Sequence, residues 1–179
     1  MNIAVYCSSS NNIADGYKKS AFALGEFIAQ SGNVLVYGGG TGGLMDAVAE
    51  GATSKNGKII GVIPESILRM KRQSALPTEL IRVITLNERK ERMLAMSDVF
   101  VILEGGYGTL DEMLDVITAG IVGEHKKPLI LVNQNGFYNH FLEQIAFMKT
   151  HACIPENENY KPIIANDIEH CIELIKMKI

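Results

Sequence analysis

Short apolar runs without polar alternation, each followed by a stretch of helical periodicity, constrain this chain more than any other feature. The runs fall at 3–7, 34–37, 59–63, 80–86, 99–103 and 129–132, with a weaker one at 163–165. Several are apolar at every position, the pattern of parallel strands covered on both faces. Between them lie stripes at helical spacing: Tyr17, Ala21, Leu24 and Ile28; Leu110, Met113, Leu114, Ile117 and Ile121; Phe137, Phe141, Leu142, Ile145 and Met148; Ile168, Cys171, Ile172 and Ile175. This alternation predicts an α/β fold, a single Rossmann-like doubly wound, mainly parallel sheet with helices on both faces. At 179 residues it reads as one domain spanning 1–179. In such sheets ligands bind beyond the carboxyl ends of the strands, where the strand order reverses.

Charge and composition narrow the function. With 17 Lys+Arg against 20 Asp+Glu the formal charge is −3, and no basic stripe offers a footprint for nucleic acid. No apolar run approaches the roughly 20 residues that cross a bilayer, and the first residues lack a signal-peptide pattern. The expectation is a cytoplasmic protein with no membrane or nucleic-acid partner. Cys7, Cys153 and Cys171 are far apart and read as reduced, mostly buried thiols. His125, His140 and His170 have no metal-ligand spacing and read as surface or helix-end residues, so no metal site is expected. Met93, Met96 and Met113 read as core or dimer contacts.

Two glycine-rich turns follow predicted strands. The first, Gly38-Gly39-Gly40-Thr41-Gly42-Gly43, has five glycines in six positions and contains G-x-G-x-x-G in a strand–turn–helix setting. Such a turn lets backbone approach an anion at a helix N-terminus, or simply packs tightly with no ligand. A dinucleotide site would also need an acidic residue closing the next strand, and Glu65 is only a loose match. The second, Glu104-Gly105-Gly106-Tyr107-Gly108-Thr109, offers N–H groups and the Thr109 hydroxyl as a phosphate cradle. Thr109-x-x-Glu112 also reads as a capping box, which needs no ligand. Between the turns, Asn87 reads as a helix cap, with Arg89 and Lys90 in the first turn. These cations either form a solvated charge run with Glu88 and Glu91 or reach an anion at the strand ends.

Taken in order, Val5-Tyr6-Cys7-Ser8-Ser9, Gly38 to Met45, Glu88-Arg89-Lys90 and Gly105-Gly106-Tyr107-Gly108-Thr109-Leu110-Asp111-Glu112 resemble the Lonely Guy (LOG) family. Members are phosphoribohydrolases that release free base from cytokinin riboside 5′-monophosphates, and often from AMP. The resemblance, from the first strand to about Tyr138, implies a Rossmann-like homodimer with active sites near the subunit interface and no metal or organic cofactor. It implies that Arg89 and Glu112, 23 positions apart, are the catalytic pair. Gly106, Gly108 and Thr109 would cradle the 5′-phosphate, with Lys90 beside them and Tyr107, Leu110 and Asp111 in the same turn. Thr118 matches a further ligand-contacting threonine, and Ser9, Gly40 and Thr41 would line the pocket. Two positions depart from the pattern: Glu104 stands where proline is usual, and Met70-Lys71-Arg72 where many members carry an acidic residue. The family is also often labelled lysine decarboxylase.

The implied reaction is hydrolysis of a purine nucleoside 5′-monophosphate, with Glu112 stabilising the oxocarbenium-like ribose and orienting water. Arg89, too basic to act as an acid, would serve electrostatically. The rivals are a non-catalytic nucleotide-binding or carrier module of the same fold and a dinucleotide oxidoreductase.

Overall fold

A computed structural model describes residues 1–155 and 158–177. The elements run β1 (Asn2–Tyr6), α1 (Asp15–Gln30), β2 (Val34–Tyr37), α2 (Gly43–Ser54), β3 (Lys58–Pro64), α3 (Glu65–Arg69), β4 (Glu79–Val83) and α4 (Leu86–Met96). They continue β5 (Val99–Ile102), α5 (Tyr107–Ile121), β6 (Leu129–Val132), α6 (Asn139–Thr150), β7 (Ile163–Ala165) and α7 (Ile168–Lys176). All seven strands pair in parallel in the order β4-β3-β2-β1-β5-β6-β7. The order reverses between β1 and β5, so the crevice beyond their carboxyl ends is where this topology puts a ligand.

Strand residues alternate between two cores because successive side chains leave opposite faces. Ile3, Val5, Leu35, Val101 and Ile130 face α1, α2 and α7, whereas Ala4, Tyr6, Val36, Phe100 and Leu131 face α4 and α5. Each fully buried aliphatic or aromatic side chain contributes about 1.5–3 kcal/mol. α1 and α2 meet backbone to backbone: a Cβ on Gly25 would lie 2.1 Å from the Val48 carbonyl oxygen, and one on Gly51 2.1 Å from that of Phe22. No helix among the described residues is long and apolar enough to cross a membrane.

The structure departs from the sequence expectations at several points. The run at 80–86 is strand only to Val83, because Thr85 caps α4: its side chain accepts from the Glu88 N–H (3.1 Å). Glu88 returns a carboxylate oxygen to the Ile84 N–H (2.7 Å), so the capping pattern belongs to Thr85 and Glu88, and Asn87 lies inside the helix. On α5 the inward face is Thr109, Glu112, Met113, Val116, Ala119 and Gly120, which leaves Leu114 and Ile121 on the outside. α6 has no fully buried side chain; only Phe141 and Leu142 pack at the margin of the core. His125 is half-buried, its ring tilted against Phe100 and edge-on to Tyr160. Its Nδ1 accepts from the Lys127 N–H (3.1 Å), which makes Nε2 the donor to the Val116 carbonyl (2.9 Å).

Candidate active site

A cavity of about 560 Å3 opens at the β1–β5 reversal, within the size range of small-molecule sites. Its walls come from the end of β1 and the following Ser8–Ser10, the first glycine turn, the segment after α3, α4 and the start of α5. Of the residues singled out in the sequence, Arg89, Glu112, Ser9, Gly40, Thr41, Gly106, Tyr107, Gly108 and Thr109 line it together.

The two glycine turns differ in what their donors do. In the first, the Thr41 N–H donates to the Arg72 carbonyl (2.9 Å) and the Leu44 N–H to the Ser8 carbonyl (2.9 Å). Asp46 accepts from the Gly42 N–H (2.7 Å) and the Thr41 hydroxyl (2.9 Å), and the Asn11 side chain accepts from the Gly43 N–H (3.0 Å). Gly42 and Gly43 have positive φ and press on the β1 loop, where a Cβ would meet the Ser9 or Ser10 carbonyl at 2.4–2.5 Å. The second half of this turn is a packing device: the N–H groups of Thr41, Gly42, Gly43 and Leu44 already have protein acceptors.

The second turn is the reverse case. Gly106 is the N-cap of α5, no side chain caps the helix, and Thr109 sits in its first turn. The Thr109–Glu112 capping box is therefore not formed. Among the described residues, the N–H groups of Tyr107, Gly108 and Thr109 have no protein acceptor. Free N–H groups and the positive end of the helix dipole suit a phosphate. A Cβ on Gly105 would lie 2.0 Å from Thr109 Oγ1, whereas Cβ atoms on Gly106 and Gly108 would meet nothing within 4 Å.

Arg89 reaches in from α4 and its Nη2 donates to Glu112 Oε1. The guanidinium lies against the first turn, with Nη1 3.2 Å from where a Gly38 Cβ would be. Its Nε is buried with no partner among the described residues. Burial pushes the Glu112 carboxyl up to about 7, against the lowering effect of Arg89. Burial and the neighbouring Glu112 likewise raise the Tyr6 hydroxyl, which also lines the cavity. Glu104, buried just before the turn, is pushed up to about 7 by desolvation, and its Oε1 has no partner among the described residues.

Four of the expected binding residues lie outside the cavity lining. Lys90 Nζ is held by Asp111 (3.0 Å) and Asp115 (3.2 Å), which directs it along the flank of α5. Asp111 is exposed in that pair, Leu110 packs against the α4–α5 core, and Thr118 is exposed on the outer face of α5. Sequence reasoning in turn passed over Tyr6, Met45, Ile67, Leu86 and Arg72 as cavity residues. The only sequence mark near Arg72 is the departure at Met70-Lys71-Arg72, read at Lys71, where many members carry an acidic residue.

Comparison with known proteins adds to this geometry. Residues 45–175 match a family model described as possible lysine decarboxylase. The cytokinin riboside 5′-monophosphate phosphoribohydrolase LOG of Oryza sativa subsp. japonica is 39% identical over 155 residues, 87% of this chain and 64% of that protein. The probable cytokinin riboside 5′-monophosphate phosphoribohydrolase LOGL9 of the same plant is 36% identical over 165 residues, 92% of this chain and 73% of that one. The chain thus spans just under two thirds of the first relative's length. Among solved structures, a molybdenum cofactor binding protein from Rippkaea orientalis superposes with a TM-score of 0.75 at 29% identity, covering 99% of this chain and 96% of that one.

Proposed function

The chain belongs to the LOG family, and from that footing we propose that it hydrolyses the N-glycosidic bond of a purine nucleoside 5′-monophosphate to free base and ribose 5-phosphate. The observation that carries this reading is the buried Arg89–Glu112 pair set beside an uncapped helix N-terminus in one cavity. The N–H groups at the start of α5, with the Thr109 hydroxyl, hold the phosphate, and that remote contact orients the ribose. As the C1′–N bond breaks, positive charge builds on the sugar and negative charge on the base. The Glu112 carboxylate faces the sugar charge and draws the proton from the attacking water. The hydroxide ends on C1′ and the departing base takes up a proton. Arg89, permanently charged, orients Glu112 and offers its free Nε–H to ligand oxygens or the leaving base.

The decarboxylase description points to different chemistry, since amino-acid decarboxylation of that kind uses pyridoxal phosphate held on a lysine. The cavity lining contains two arginines and no lysine, and Lys90 is tied to Asp111 and Asp115. These residues do not fit that cofactor.

The outer face of α5 carries Tyr107 (94% exposed), Leu114 (43%) and Ile121 (41%), with Val122 just beyond. This apolar stripe supports a homodimer of single-domain subunits 1–179, with the cavities near the interface, and predicts a solution mass of twice 19.6 kDa by light scattering. The rival is a carrier, the kind of protein named by the likeness to the molybdenum cofactor binding protein, but the curated relatives favour the hydrolase. Incubating AMP and isopentenyladenosine monophosphate with wild type and Glu112→Gln, then separating the products by chromatography, decides between them. Free base from wild type alone supports the hydrolase. Binding of either nucleotide without base release from any purine monophosphate supports the carrier.

A further inference from the structure

Among the described hydroxyl side chains that line the cavity, Thr41 is the one whose proton is already given to the protein. Its Oγ1 donates to Asp46 Oδ2 (2.9 Å), and the Gly42 N–H donates to the same oxygen (2.7 Å). Asp46 stands in the first turn of α2 and opens on the groove between α1 and α2, outside the cavity lining. A carboxylate accepts and cannot donate, so the direction of the Thr41 bond is fixed. What Thr41 offers a ligand is therefore lone pairs. Ser8 is the contrast: its Oγ accepts from the Ser10 N–H (3.1 Å), which leaves its proton for a ligand.

Beside this acceptor stands a donor. The Thr41 N–H donates to the Arg72 carbonyl (2.9 Å), Gly40 and Gln73 form an antiparallel bridge, and Arg72 Nη2 donates to the Thr41 carbonyl (3.1 Å). Nη2 also reaches the Ser9 carbonyl (3.4 Å), so the other guanidinium N–H groups are the ones left for a ligand. β1 lies between β2 and β5 in the sheet. Thr41 follows β2 and the uncapped start of α5 follows β5, so the two flank the end of β1 from opposite sides. A monophosphate anchored at α5, with its sugar at Glu112, extends its base toward Thr41, where Met45, Ile67 and Leu86 add apolar wall. An acceptor next to a donor is the complement of adenine's N6–H and N7. A 6-oxopurine sets its O6 lone pairs against those of Thr41, and a doubly substituted amino group has no proton to give. A singly substituted one keeps its N–H.

We propose that Thr41 reads the N6–H of an adenine-type base, and that Asp46, acting through it, is a positioning residue that fixes the hydroxyl as an acceptor. This rests on the phosphoribohydrolase reading. The test compares kcat/KM for AMP, N6-methyl-AMP, N6,N6-dimethyl-AMP and IMP in wild type, Thr41→Val, Asp46→Ala and Asp46→Asn. Wild type should favour the nucleotides that carry an N6–H over those that lack one by roughly 5- to 100-fold, the range of one matched hydrogen-bond pair. The AMP-to-IMP ratio should fall toward one in Thr41→Val, which keeps the shape and loses the oxygen. It should fall in Asp46→Ala as well, there by a gain on IMP, because a released hydroxyl can donate to O6. Asp46→Asn should hold the ratio, since the Gly42 N–H keeps the amide oxygen in the place of Oδ2. A merely loosened glycine turn would slow every nucleotide alike. A ratio that Thr41→Val or Asp46→Ala leaves unmoved therefore overturns the proposal, as does IMP or N6,N6-dimethyl-AMP equal to AMP in wild type. If no nucleotide releases base, the hydrolase reading fails separately. Calorimetric affinities of AMP and IMP for the same proteins then supply the ratio. Tighter AMP binding that Thr41→Val and Asp46→Ala abolish upholds base reading by Thr41, and equal affinities or an unmoved ratio overturn it.

Discussion

The guanidinium of Arg89, on α4, and the carboxylate of Glu112, on α5, meet inside the cavity, and neither has more than a small fraction of its side chain exposed. The pair joins two helices that rise from strands on opposite sides of the sheet's centre, β4 at one edge and β5 beside β1. Burial dominates the carboxyl and lifts it to about 7 in spite of the arginine. A group that works as a carboxylate and titrates near 7 is idle below that pH. Base release, followed as kcat/KM from pH 5 to 9, should therefore rise with pH through about 7 and then level. A limb near the ordinary carboxylate range would mean that a group other than buried Glu112 controls the rate.

Glu112→Gln keeps the size and the hydrogen-bonding oxygen but removes the charge. Turnover should fall by about 10²- to 10⁴-fold, the usual yield of a positioned acid–base group. Nucleotide affinity, measured by calorimetry, should stay within a few-fold, because the phosphate cradle is untouched. Equal turnover with a lowered melting temperature would reduce Glu112 to a structural tie.

The glycines of the second turn separate folding from binding. Gly108→Ala places a methyl in open space within a helix, so it should stabilise the fold by a few tenths to about 1 kcal/mol. That methyl stands beside the N–H groups meant for phosphate, so KM should rise clearly. Gly105→Ala should do the opposite to stability, lowering it by about 1–3 kcal/mol, since its Cβ would lie 2.5 Å from that of Thr109. Unchanged KM in Gly108→Ala would argue that the phosphate sits elsewhere.

Glu104 makes stability depend on pH. Its carboxyl titrates near 4.5 in the unfolded chain and near 7 when buried, so between these values the folded state holds a proton that the unfolded state has lost. Its contribution to stability is full below about 4.5, falls as pH rises, and levels above about 7. Glu104→Gln should remove this slope. It should match wild type near pH 4.5 and exceed it at pH 8 by up to about 3 kcal/mol in denaturant titrations. Parallel curves for the two proteins would show that Glu104 reaches water more freely than its burial indicates.

Most of the fold was legible because parallel strands buried on both faces leave unbroken apolar runs, and those at 34–37, 129–132 and 163–165 coincide with β2, β6 and β7. The strand at 80–86 was overextended because Ile84 and Leu86 are apolar but exposed; the local bonds of Thr85 and Glu88 end it, not hydrophobicity. On α5 the apolar residues Leu114 and Ile121 suggested an inward stripe, while the residue that turns in is Glu112, which no hydrophobic pattern could find. The motifs placed Arg89, Glu112 and the second turn at one cavity. They could not distinguish the two glycine turns, whose difference lies in distant acceptors such as Asn11. They missed Arg72, which reaches the cavity through a single antiparallel bridge.

The bonds that Asn11 and Asp46 make to the first glycine turn bear on what the cavity refuses. A diphosphate-linked coenzyme needs two adjoining anion seats, and here one seat is filled by the protein's own side chains. Adenylate-bearing coenzymes, abundant wherever nucleotides are made, therefore meet carbonyl and carboxylate oxygen where their second phosphate would rest. Discrimination against them would then be a property of the turn as folded.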